Sequence, residues 1–108
     1  MTLIESLLPK VKENLIITHD EDDAMLLRLI AAAINYAESY QHKPERYYAK
    51  RGSKMSAATE QAVIMLSSHF YESRDGSTAG FFADSVQAGQ QVWNTVNTLL
   101  RLDREWRV

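Results

Sequence analysis

From Ala24 to Tyr40 apolar residues return at the spacing of an α-helix, and they do so on more than one face. Leu26, Ile30, Ala33, Ala37 and Tyr40 form one stripe, with Leu27, Ala31 and Ile34 beside it; Met25, Leu29, Ala32 and Tyr36 occupy a further face. A surface helix of a globular protein needs one apolar stripe. A helix apolar over much of its circumference is either central in a bundle, or buried on one side by its own subunit and on another by a neighbour. The chain has 108 residues, which suits one domain spanning 1–108. Its core is modest, because a chain of this size buries roughly two-thirds of its unfolded surface. The second alternative therefore stands beside the first.

The remaining periodicity predicts three further helices and no strand. The first runs from about Leu3 or Leu8 to Leu15, where Pro9 suits a first turn and kinks the helix if it begins earlier. Asp20, Glu21, Asp22 and Asp23 precede the long helix and place negative charge at its positive dipole end, with one side chain as cap. A third helix starts near Ser56 or Ala57, with Ser56 as N-cap, and ends near Arg74; Ala62, Met65, Leu66, His69 and Phe70 make its buried stripe, flanked by Val63 and Tyr71. Residues 76–90, with three glycines, read as irregular, and the last helix runs from about Ala88 or Val92 to near Arg104. The expected fold is all-α, a small four-helix bundle-like domain with a long basic loop between the second and third helices. Tyr47-Tyr48-Ala49 offers a short extended arm within that loop.

Composition closes several routes. Without cysteine there is neither a disulfide nor a thiolate metal site. The apolar run Ala24–Ile34 is broken by Arg28 and is too short for a bilayer, and Met1–Glu5 has no pattern of a secretory leader, so no membrane partner is expected. The acidic cluster beside His19 lacks the spaced oxygens, turn glycine and distal glutamate of a calcium loop, so helix capping is the simpler reading. His69 could serve as a base, or as a ligand with Glu72 and Asp75, but no second histidine lies at metal spacing, and a buried, hydrogen-bonded structural histidine is the plainer expectation. Ser67 and Ser68 sit in no glycine-flanked nucleophile elbow, and no phosphate loop, dinucleotide fingerprint or zincin motif occurs. The reading is a protein that is not an enzyme and carries no catalytic residue, cofactor or metal.

Charge is more informative. The net charge of −2 divides into −4 over residues 1–42, +4 over 43–54 and −2 over 55–108. The only basic block, Lys43, Arg46, Lys50, Arg51 and Lys54, is interleaved with Tyr47 and Tyr48. Such a segment suits a protein interface, where Tyr and Arg are favoured anchors. It also suits phosphates and stacked bases, or plain solvation. Phe81, Phe82 and Trp106, with Arg104 beside it, fall outside the clean stripes and mark either core returns or a surface awaiting a partner.

Several segments, taken in order, resemble the small head–tail connector (adaptor) proteins of tailed phages. They are a short helix ending in Asn14-Leu15-Ile16, the acidic 20–23 cap, the Leu/Ile/Ala-rich helix ending in Glu38-Ser39-Tyr40, and the run from Gln61 to Leu66 followed by His69-Phe70-Tyr71-Glu72-Ser73-Arg74. Leu99-Leu100-Arg101 resembles the family's last helix. The resemblance implies a virion protein made in the host cytoplasm that assembles into a ring, with twelve-fold symmetry expected against a dodecameric portal. The ring would dock on the portal, extend the DNA channel without sequence-specific DNA binding, and join the capsid to the next head-completion or tail protein. On this reading Asp22 and Asp23, or Glu38, meet the 43–54 loop of the adjacent subunit, and Phe81, Phe82, Arg104 and Trp106 are further interface candidates. Two alternatives remain: a small helical DNA-binding or regulatory protein using residues 43–54, and a helical dimerisation module.

Overall fold

The structure, a computed structural model, describes residues 2–44, 46–50, 55–73 and 82–103, with the backbone alone for Lys50 and 82–89. Five helices and no strand occur among the described residues: α1 Leu3–Leu15, α2 Asp23–Tyr40, α3 Tyr47–Lys50, α4 Ala57–Ser73 and α5 Phe82–Arg101. The fold is all-α, as the periodicity predicts.

α1 starts at Leu3. Thr2 and Glu5 form a reciprocal capping box, with Thr2 Oγ1 accepting from Glu5 N at 3.1 Å and Glu5 Oε1 accepting from Thr2 N at 2.9 Å. Pro9 therefore lies inside the helix, where it leaves the Glu5 carbonyl without its usual i+4 donor. α4 starts where Ser56 predicts: its Oγ accepts from Thr59 N at 3.1 Å. Two expectations are corrected. Residues 82–90 are helical, so α5 begins earlier than its apolar spacing suggests, and residues 47–50 make a helical turn in place of an extended arm.

α2 and α4 form the central pair. They run antiparallel: Gln41, after the end of α2, meets Thr59 at the start of α4, and Asp22, before α2, meets Tyr71 near the end of α4. α1 packs on this pair from one flank and α5 from another, without substantial packing between α1 and α5. Lys10 reaches Glu60 and Asn14 reaches Ser68, so α1 runs in the sense of α4. Asp103 reaches Thr59, so α5 runs against it.

The core is Leu7 and Val11 of α1, Leu26, Ile30, Ala33, Ile34 and Ala37 of α2, Tyr48 of α3, Ala62, Val63, Ile64 and Leu66 of α4, and Val96 and Leu100 of α5. α4 is enclosed on three sides, with Thr59, Ser67 and Ser68 buried as well. Its buried surface is wider than the expected stripe, whereas Met65, His69 and Phe70 on that stripe are only half-buried.

Candidate assembly surface

The segment after α2 is built by tight turns that use no glycine. α2 ends with His42 in the left-handed region, φ 61°. His42 N donates to Ser39 O at 3.2 Å and Lys43 N to Glu38 O at 2.8 Å, the paired bonds of a Schellman motif. Arg46 repeats the left-handed conformation at φ 62° and sends the chain into α3. Glu38, buried in the interior, holds the entry. Its Oε1 accepts from Arg46 N and its Oε2 from Tyr48 N, both at 3.1 Å. A buried carboxylate thus satisfies amides that a four-residue helix leaves without partners.

Tyr48 is the anchor of this segment. Its ring is buried, edge-on to Tyr47 at 5.1 Å, and its hydroxyl donates to Gln41 Oε1. Burial pushes the Tyr48 phenol up to about 12. Gln41, fully buried, donates through Nε2 to Thr59 Oγ1 at 2.9 Å and to Leu100 O at 3.1 Å. Thr59 Oγ1 donates to Asp103 Oδ2 at 2.7 Å, and Ser56 Oγ donates to the same oxygen. These hydroxyls hold the Asp103 carboxyl below the usual carboxylate range. One polar network therefore ties α3 and the ends of α2 and α5 to the start of α4.

Outside this anchor the segment faces solvent. Arg46 is exposed, Tyr47 is half-buried, and Lys43 Nζ lies 4.9 Å over the Tyr47 ring, a cation–π contact. Lys50 closes α3, with its side chain outside the described set. Arg51, Lys54, Phe81, Arg104 and Trp106 lie outside the described residues, as does the Phe82 side chain.

The expected acidic half of an intersubunit contact is engaged within its own chain. Glu38 does meet the 43–50 segment, but of the same subunit. Asp22 makes no side-chain cap bond; its carboxylate accepts from Tyr71 OH. Lys12 Nζ reaches Asp23 at 2.9 Å and Asp20 at 2.7 Å, closing the α1–α2 turn. The acidic cluster is thus chiefly an internal clamp, and its carboxylates point to a lysine and a phenol in place of a shared centre.

The His69 side chain, expected to be buried and hydrogen-bonded, makes no hydrogen bond among the described residues. It is half-buried, edge-on to Trp93 at 6.2 Å, in an aromatic group with Phe70, Tyr36 and Tyr40.

Two aliphatic residues stand open to solvent, and one of them, Leu102, belongs by spacing to the apolar series Val92, Val96, Leu99 and Leu100 of the last helix yet lies just beyond its end. Ile16 is 87% exposed and Leu102 72% exposed, the large apolar side chains most open to solvent among the described residues. Ile16 is the left-handed residue that ends α1, at φ 59°, with Ile16 N donating to Glu13 O at 3.2 Å and Ile17 N to Lys12 O at 2.9 Å. A β-branched residue is disfavoured there. It borders a cleft of about 510 Å³ between α1 and α4, lined by Lys10, Glu13, Asn14, Ile16, Gln61 and Ile64. The sequence carries one signal for Ile16: no glycine follows Leu15, where a helix end favours one.

No described helix is long and apolar enough to cross a membrane. Among known families, the model of the phage gp6-like head-tail connector proteins matches residues 5–104. No curated protein and no solved structure matches the chain.

Proposed function

Because the chain belongs to the phage gp6-like head-tail connector family, a structural family of the virion and not an enzyme class, we propose that it closes into a ring beneath the portal. The ring extends the DNA channel and offers its far side to the next head-completion or tail protein. Twelve subunits would match a dodecameric portal. The observation that carries this reading is the family match over nearly the whole chain, from residue 5 to residue 104.

The fold supports it. Head-to-tail contacts that close make rings, and they require two different surfaces on each subunit. Here α1 and α5 stand on separate flanks of the α2–α4 pair. The basic segment is held to the core by Glu38 and Tyr48 while Arg46 faces out. A patch presented by a rigid base loses little entropy on docking. We assign Lys43, Arg46, Tyr47, Lys50, Arg51 and Lys54 to a contact with an acidic surface of a neighbour or of the portal, and Phe81, Phe82, Arg104 and Trp106 to the same assembly. DNA passes the channel without being read.

The test is co-sedimentation with purified portal rings. The wild-type chain is expected to travel with the portal, and the paired reversal Arg46→Glu with Lys50→Glu to lose that association while keeping its helical circular dichroism. A folded wild-type chain that never associates with portal rings would contradict the reading.

A further inference from the structure

We infer that the α1–α4 cleft is the socket for the α5 end of a second copy of this chain, with Leu102 seated on Ile16 and Ile64 and Arg101 facing Glu13. This rests on the ring reading above and names the contact that would build it.

The two strongly exposed aliphatic residues are not on one patch. Ile16 ends α1, on one flank of the α2–α4 pair; Leu102 follows α5, on the other. α1 runs in the sense of α4 and α5 against it, so Ile16 points toward the Tyr71 end of the bundle and Leu102 toward the Thr59 end. Two apolar points so placed cannot meet within one subunit, and they suit a head-to-tail contact between two. The socket has the form such a contact needs: Ile64 as floor, Ile16 as wall, and the Lys10–Glu60 ion pair at 2.6 Å near its edge.

Charge matches as well. Glu13 borders the socket and is exposed; Arg101 precedes Leu102 and is exposed; neither is in an ion pair among the described residues. An acidic and a basic side chain, each beside one of the two apolar points, give the contact its register. The network of Gln41, Thr59, Ser56 and Asp103 pins the chain on both sides of Leu102, so the knob is presented on a fixed base. Ile16 fits the same account. A β-branched residue held left-handed and open to water has no folding advantage over glycine, whereas a wall that loses its solvent exposure on assembly has one.

The chain has no cysteine, which makes the contact directly addressable. Ile16→Cys and Leu102→Cys proteins would be mixed at concentrations where light scattering shows oligomers, then treated with a short bismaleimide. The expected product is a mixed pair linked 16 to 102. In parallel, Glu13→Arg or Arg101→Glu alone is expected to raise the concentration at half-assembly roughly tenfold or more, and the two together to restore it. Oligomers that give no link would overturn the socket while leaving the ring reading intact, whereas only 16–16 or 102–102 links would overturn the socket and count against the ring as well. A 16–16 product would mean a twofold dimer, and oligomers without either link would put the contact between subunits elsewhere on the surface. Absence of any oligomer would contradict the ring reading itself, and the socket with it.

Discussion

Single residues carry the unusual chemistry of this molecule, and the most telling are those forced into left-handed backbone. Ile16 and His42 close their helices at φ 59° and 61° in a chain that holds four glycines, none of them at these ends. A left-handed L-residue costs roughly 1–2 kcal/mol, and glycine returns part of this as unfolded-chain entropy. Ile16→Gly should therefore leave the monomer as stable or raise its stability by up to about 1 kcal/mol, measured by urea unfolding, while assembly weakens. A variant that loses stability would show that Ile16 serves the fold instead. Glu38 poses the opposite case. Its carboxylate is buried and bonded to two amides of the basic segment. Glu38→Ala should cost about 1–3 kcal/mol and remove hydrogen-exchange protection from the Tyr48 amide. Unchanged exchange there would mean that α3 is held by packing alone.

Elements show where reading the sequence succeeds and where it stops. α2 and α4 were legible because long periodic runs bury themselves, and Ser56 marks the start of α4 by its own capping chemistry. The early start of α5 was not, because Gly89 and the polar Asp84, Ser85, Gln87 and Gln90 interrupt the apolar spacing over 82–90. The width of the α4 core was hidden for a related reason: Thr59, Ser67 and Ser68 are polar by type yet buried by position. Of the candidate site, the basic-aromatic segment was visible in composition. Its internal anchor was not, since nothing local links Gln41 to Thr59, or Thr59 to Asp103, across 18 and 44 residues. That anchor has a pH signature. The Asp103 carboxyl is held below its ordinary value, so its contribution is present above the unfolded carboxylate pKa near 3.8 and fades as pH falls through the lower folded value. The Tyr48 phenol is held up at about 12, so above pH 10 the unfolded chain releases this proton first and stability falls. Thermal unfolding across pH should show both losses. The alkaline one should shrink in Tyr48→Phe, and an unchanged alkaline limb would remove Tyr48 from the account.

At the scale of the whole molecule, the arrangement is a central α2–α4 pair with different structures on its flanks: α1 and its cleft on one, α5 and its apolar end on another. Both central helices are enclosed largely by their own subunit, so the many-faced apolar pattern of α2 does not by itself require a neighbour. What asks for one is the pair of exposed aliphatics and the basic segment held out by a buried carboxylate. These give each subunit two dissimilar surfaces, the minimum for a head-to-tail series. The central claim is that this series closes. Size-exclusion chromatography with light scattering over a range of protein concentrations, with negative-stain images of the largest species, tests it most directly. The account predicts annular particles of about a dozen subunits, and a chain that stays monomeric or stops at a twofold dimer at every concentration would contradict it.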